Sequence, residues 1–473
     1  MLTGFVVLYI LISIGIGLYA ATRVHNTQDY VVAGRSLPLY VVIATVFATW
    51  FGSETVLGIP AAFLEGGLRG IVADPFGSTL CLILVGLFFA ARLYRMKLLT
   101  IGDYYRARYN RPVELLASLA IVISYLGWVS AQIVALGLVF NILSDHAISM
   151  QIGIVMGAGI VLIYTLYGGM FSVAWTDFFQ MTIIIVGLIY IVYVVGDLAG
   201  GPGRVIEHAA AAGKFEFWPA LAAREVLAFI GAAVTIMFGS IPQQDVFQRV
   251  MSARTENIAV SGAVLGGGLY FIFAFLPLFL AYAATLIDPD MVAGLLKKDS
   301  QLILPTLILD HTPLIAQVLF FGALLSAIMS TASGTLLAPS VTFTENILKG
   351  FLKKDLSDRE LLLAMRLVVI GFTVSVTAFA LNSDSSIYEM VESAYKITLV
   401  VAFIPLVAGL YWKHATTQGA LAAITLGFCS WIALEILAPE GLWPPQLVGL
   451  LMSLTGMIVG SLLPQLGAIR KPA

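Results

Sequence analysis

Residues 44–60 read ATVFATWFGSETVLGIP, and this stretch decides the fold. It lies inside a long apolar run, yet Gly52, Ser53, Glu54 and Thr55 interrupt it where lipid penalises each of them. An unpaired backbone group in hydrocarbon costs several kcal/mol, so a helix opens at mid-depth only where it faces protein or a water-filled cavity. The stretch is therefore read as a broken membrane helix and as the first candidate for a binding site.

The chain around it supports that reading. Of 473 residues, 60% are hydrophobic and 11% charged, with a mean hydropathy of +0.97, more apolar side chain than a soluble domain uses. A hydrocarbon core of about 30 Å needs about 20 apolar residues per crossing. Thirteen spans fit, near 3–21, 38–64, 70–91, 113–144, 149–168, 173–197, 225–245, 257–287, 312–347, 362–382, 386–411, 417–437 and 443–465. The connections 92–112, 198–224 and 288–311 are too short for a further soluble domain. The expected fold is an all-α polytopic membrane protein, one transporter-like domain over 1–473.

An odd number of spans puts the termini on opposite sides, and Lys/Arg in the loops sets which. With the C-terminus in the cytoplasm, 18 of the 25 basic residues fall on that side, six of them in 92–112 and Arg249, Lys353, Lys354, Arg470 and Lys471 among the rest. The opposite side has six, and Lys396 lies within a span. The expected location is the plasma (inner) membrane, with the N-terminus outside. The first span has no basic flank before it, so it reads as a retained helix, not a signal peptide. Cys81 and Cys429 sit in separate spans and offer no disulfide or metal pair. The tyrosines of 92–112 read as a headgroup-facing anchor.

A second break follows the pattern of the first. The seventh span ends in FGSIPQQDVFQRV, 238–250, so FGSE and FGSI each follow an apolar half-helix. Two broken spans at corresponding places point to inverted repeats with a site between them at mid-membrane. The repeats would be 38–197 and 225–411, with 1–21 and 417–465 peripheral. The ninth span carries Ser326, Ser330, Thr331, Ser333 and Ser340, and two readings stay open for it: close helix packing by small residues, or hydroxyls facing an ion.

A sodium ion takes several oxygens, which an opened helix supplies as carbonyls and Ser/Thr as hydroxyls. The carbonyls of Ala48, Phe51 and Ala327 with the hydroxyls of Ser330 and Thr331 offer that set. Of the acids in or beside spans, Glu54, Asp74, Asp177, Glu389 and Glu392, each is a functional candidate because charge is expensive there. Glu392 and Lys396 are spaced as a helical ion pair. Asp177 either completes a second ion site with Ser330 and Ser333 or caps the sixth helix. Glu54 beside Trp50 is what holds an amine or quaternary ammonium, by charge and cation–π contact. Trp128, Gln132 and Gln243 add a second wall, and Asp74 opens the next span.

Together AGRSLP at 33–38, GGMFSVAWTDFFQ at 168–180, IPQQDVFQRV at 241–250 and SAIMSTASGTLL at 326–337 resemble the sodium:solute symporter family over nearly the whole chain. The resemblance implies thirteen helices, a leucine-transporter-like five-plus-five core, and Na+ held by Ala48, Phe51, Ala327, Ser330 and Thr331. It implies a second Na+ site at Asp177, Ser330 and Ser333 in some members, where Gly334 stands in place of a further hydroxyl. Trp50, Trp128 and the IPQQDVFQRV motif look most like the choline-transporter branch, with Gln243 where that branch has a tryptophan. The implied function is Na+-coupled import of a small organic solute, an amine or quaternary ammonium; the alternatives are an amino acid, sugar or monocarboxylate. From another class, a channel would show a ring of filter residues, and a sensor would carry a signalling domain. Enzymatic chemistry has no home: the five histidines map to loops or span ends, and neither HExxH nor GxSxG occurs. The partners expected are the solute and membrane lipid, not nucleic acid, and no oligomeric state is assigned.

Overall fold

Both breaks appear where the glycine-serine pairs stand. The computed structural model describes residues 2–351 and 356–465. Helix Leu39–Trp50 stops as Phe51 leaves helical geometry at φ −88° and ψ 72°. Helical turns resume at Glu54 and run on as Ile59–Gly66, with Pro60 just after the π-turn Glu54–Gly58. In the second half of the chain Ala223–Gly239 gives way to Gln244–Ser252 with a bend of 44°. Leu39–Trp50 and Leu314–Thr342 pack against one another, and each also packs on Met150–Leu198.

Met150–Leu198 is two helices joined at Gly169, whose φ of 48° and ψ of −140° are open to glycine and strained for other residues. A Cβ at Gly169 would lie 2.4 Å from the Tyr30 carbonyl, so the turn also lets the short helix Thr27–Val32 approach. Elsewhere the helix starts are capped as their sequences predict. Asn110 accepts from the Val113 N–H ahead of Arg111–Leu143, and Ser357 and Ser386 form capping boxes with Glu360 and Glu389. Glu389 is thus an exposed cap, not a buried acid.

By length and apolarity ten helices qualify to cross a membrane, eleven with the bent pair, against the thirteen spans of the sequence reading. Two long runs account for most of the difference. Glu54–Met96 and Met150–Leu198 each pass through two expected spans without a gap between helices, and the 12-residue Leu39–Trp50 is too short to qualify by itself.

Three further expectations are corrected. Tyr104 and Tyr105 are buried instead of facing headgroups, and with Tyr109 they donate to the carbonyls of Leu406, Ala402 and Pro405 at 3.2, 2.9 and 2.8 Å. The Ala402 carbonyl lies within the π-turn Leu399–Phe403 and those of Pro405 and Leu406 just after it, and the tyrosines satisfy them. Arg249, assigned to a cytoplasmic loop, is only 2% exposed and lies inside the protein. Lys396 pairs with Glu435 at 3.6 Å, an ion pair made between helices and not along one. Lys353, Lys354, Arg470 and Lys471 lie outside the described residues.

Candidate functional site

The first break brings an aromatic cluster and a carboxylate together. Trp50, the last residue of its half-helix, stacks on Tyr395 with ring centroids 6.2 Å apart and planes 13° from parallel. Trp128, midway along Arg111–Leu143, meets Trp50 edge-on at 5.9 Å and Tyr395 at 5.4 Å, and Tyr125 stacks behind it at 5.9 Å. Three helices distant in sequence supply the four rings of this cluster, Arg111–Leu143 giving both Tyr125 and Trp128.

Glu54 is 3% exposed and is fixed by Gln132, whose Nε2 donates to Glu54 Oε2 at 2.7 Å. The same amide's Oε1 accepts the Ser53 N–H at 2.9 Å, satisfying a donor that the break had orphaned. Gln132 is one turn beyond Trp128, so one helix face carries both the ring and the amide. Gly52 has no room for a side chain: a Cβ would stand 2.6 Å from Glu54 Oε2 and 2.7 Å from Thr331 Oγ1. Glu54 and the hydroxyl helix therefore flank the break from two sides.

Asp74 joins this region through Tyr270. The Tyr270 hydroxyl donates to Asp74 Oδ1 at 2.5 Å and lies 3.3 Å from Thr55 Oγ1, and Ser78 donates to the same Asp74 oxygen. Thr55 adjoins Glu54 in the chain and donates to the Trp50 carbonyl at 3.1 Å.

Two of the expected sodium ligands, Ala48 and Thr331, meet on the other side of the break. Thr331 donates to the carbonyls of Thr49 at 2.9 Å and Ala48 at 3.3 Å. These acceptors are free because the helix stops two to three residues later. Phe51 and Ala327 are buried on the two facing segments. Ser330 turns its hydroxyl to Asp177 Oδ1 at 2.7 Å, and Thr45 donates to Asp177 Oδ2 at 2.5 Å. Ser333 donates to the Ser330 carbonyl at 2.9 Å. Oxygens from an opened helix and a hydroxyl helix, with a carboxylate behind them, fit a hard monovalent cation.

Gln243 bonds beside two of the ring residues, to the neighbour of Tyr125 and to Thr398, which donates to the Tyr395 carbonyl. Its Nε2 donates to Ser124 at 2.9 Å and reaches Thr398 at 3.4 Å, which ties the second break to two neighbouring helices. Four participants escaped the sequence reading: Tyr395, Tyr270, Thr45 and Arg249. The first three carry no local signal among many tyrosines and threonines. Arg249 had one, an arginine inside an amphipathic half-helix after a break. Its Nη2 donates to Thr49 Oγ1 at 2.7 Å and fills the space left by Gly334, where a Cβ would come within 2.3 Å of it.

The family model described as the sodium:solute symporter family matches residues 30–427. The chain belongs to the sodium:solute symporter family. It is 30% identical over 463 residues to the human high affinity choline transporter 1, covering 93% of this chain and 77% of that one. It is 25% identical to the osmoregulated proline transporter OpuE of Bacillus subtilis, covering 96% and 93%. Among solved structures, a substrate-bound, outward-open Na+-coupled sialic acid symporter superposes with a TM-score of 0.82 at 20% identity, covering 97% of each chain. Mhp1, a nucleobase-cation-symport transporter in a closed conformation, gives 0.59 at 13% identity, covering 92% and 96%. This family member thus has the leucine-transporter-like fold that its breaks imply, and it is a multi-pass membrane transporter.

Proposed function

We propose that this protein is a Na+-coupled symporter that imports a small organic cation, an amine or quaternary ammonium such as choline, across the plasma membrane by alternating access. The observation that carries the reading is the joint placement of Trp50, Trp128 and Tyr395 with Glu54. Ring faces and a buried carboxylate recognise a desolvated cation, and such cation–π contacts contribute about 2 kcal/mol or more when water is excluded. Na+ binds between the first break and Thr331, and so fixes the half-helix that carries Trp50 and Glu54. Asp177, Ser330 and Ser333 form the candidate second Na+ site. The repeats 38–197 and 225–411 then rock about the two breaks, with the N-terminus outside.

The energetics suffice for accumulation. One Na+ moving down about 100 mV releases about 2.3 kcal/mol, and a tenfold Na+ gradient adds about 1.4 kcal/mol. Together these support roughly 500-fold accumulation of a neutral solute, and more for a cation drawn in by the same potential.

A thermal-shift screen of the purified protein tests the reading, with choline, proline, glucose and lactate each in Na+ and in K+. A ligand that binds the folded state raises its stability by mass action. Stabilisation by choline in Na+ alone is the expected result. Stabilisation by a neutral or anionic solute and not by choline would overturn the assignment.

A further inference from the structure

The interior of this protein is short of positive charge. Among the described residues, the fully buried charged side chains away from the cytoplasmic Arg111–Glu114 pair are Glu54, Asp74, Asp177, Asp245 and Arg249. Four carboxylates face one guanidinium, so three negative charges are unmatched. Burying an ion without a partner costs several kcal/mol, so each of these carboxylates, where it is ionised, calls for a cation. One Na+ at Thr331 matches one of them.

Two of the acids belong to the solute region. Glu54 and Asp74 are 3% and 4% exposed, and their protein partners are neutral: Gln132 for Glu54, Ser78 and Tyr270 for Asp74. Both donors to Asp74 use Oδ1, and among the described residues Oδ2 takes no hydrogen bond. No lysine, arginine or histidine forms an ion pair with either acid among the described residues. The chain Asp74–Tyr270–Thr55 leads back to the residue next to Glu54. The indole N–H of Trp128, 1% exposed, also points at Glu54.

We propose that the solute carries two positive charges, as in a short linear diamine, with one ammonium between Glu54 and the Trp50–Trp128–Tyr395 rings and the other at Asp74. This rests on the organic-cation reading above and narrows it. With one Na+ bound, a dication brings the interior to neutrality and a monocation leaves Asp74 unmatched; the Arg249 guanidinium, which fills the space at Gly334, disfavours a second Na+ beside it at Asp177. Tyr270 and Ser78 hold Asp74 Oδ1, which presents Oδ2 to the second ammonium.

Thermal shift with the full chain in Na+ decides the matter, using ethylenediamine, putrescine and cadaverine against ethylamine, n-butylamine and choline. The expected result is half-maximal stabilisation by a diamine at a concentration at least about tenfold below that of any monoamine or choline, a difference of one further ion contact. Asp74→Asn should bring the diamine to the monoamine level, and a single cooperative melt without ligand shows that the variant is folded. The wild-type series is decisive without the variant. If choline or the monoamines stabilise as well as the diamines, or if Asp74→Asn leaves the diamine response unchanged, the two-charge assignment is wrong and the organic-cation reading stands. If no amine of either kind stabilises the protein, that reading fails and takes this one with it.

Discussion

Gln132 is bonded at both ends of its amide: Nε2 donates to Glu54 Oε2 at 2.7 Å, and Oε1 accepts the Ser53 N–H at 2.9 Å. One side chain from Arg111–Leu143 therefore fixes both the opened backbone and the carboxylate of the first break. Gln132 is neutral, so it orients Glu54 without forming an ion pair with it.

Glu54→Gln should weaken binding of a cationic solute by about 10- to 100-fold, the range expected from losing an interaction with a charged group of about 1.5–3 kcal/mol. Gln132→Leu should act in the same direction by misplacing the carboxylate. Titrating the thermal shift with choline in Na+ reads both. Unaltered affinity in Glu54→Gln would return that residue to a purely structural role.

Thr331→Ala should raise the Na+ concentration for half-maximal stabilisation by about tenfold or more, since it removes the hydroxyl that faces the Ala48 and Thr49 carbonyls. Ser330→Ala should act similarly and also free Asp177. Direct contacts to the solute are untouched in both, so solute affinity at saturating Na+ should change little. Wild-type Na+ dependence in both variants would remove the site.

Gly169→Ala should cost about 2 kcal/mol or more, because an L side chain is strained at φ 48° and its Cβ would press on the Tyr30 carbonyl. Tyr105→Phe should cost about 1 kcal/mol by leaving the Ala402 carbonyl without its 2.9 Å donor. Melting temperatures in detergent measure both, and the glycine variant should be the more damaging.

Asp288, between Glu256–Ile287 and the helix that follows, accepts the Met291 N–H and faces His311 Nε2 at 2.9 Å. The backbone N–H first, and His311 second, hold its carboxyl below the ordinary value of about 3.9. A depressed carboxyl contributes stability above its unfolded-state value and loses it as pH falls through the folded one. The melting temperature of Asp288→Asn should therefore lie below wild type at pH 7, and the gap should close as pH drops below the ordinary carboxylate range. A gap that persists in acid would contradict the assignment.

The parts of the fold that were legible in the sequence are those governed by local physics. Apolar length placed the helices, and Gly52–Ser53, Gly168–Gly169 and Gly239–Ser240 placed the interruptions, because each leaves backbone groups that only a special environment satisfies. The number of crossings was harder to read, since glycine-rich turns let hydrogen bonding run almost continuously from Met150 to Leu198. In the site, Trp50, Glu54 and Thr331 announced themselves as polar or aromatic residues at a break. Tyr395 and Tyr270 did not, because their importance lies in which helices stand opposite, a property of packing over more than a hundred residues. Arg249 was misplaced for the same reason: a loop-like charge count cannot see that Gly334 makes room for a guanidinium.

The central claim is that inward Na+ movement drives uptake of an organic cation. Purified protein in liposomes, loaded with K+ and diluted into Na+ or into K+ with radiolabelled choline and, in parallel, putrescine, tests it most directly. The account predicts transient accumulation above equilibrium in Na+, abolished when external Na+ is replaced by K+ and strongly reduced in Thr331→Ala. Equal uptake in Na+ and K+, or accumulation of neither cation while a neutral or anionic solute is taken up in Na+, would contradict it.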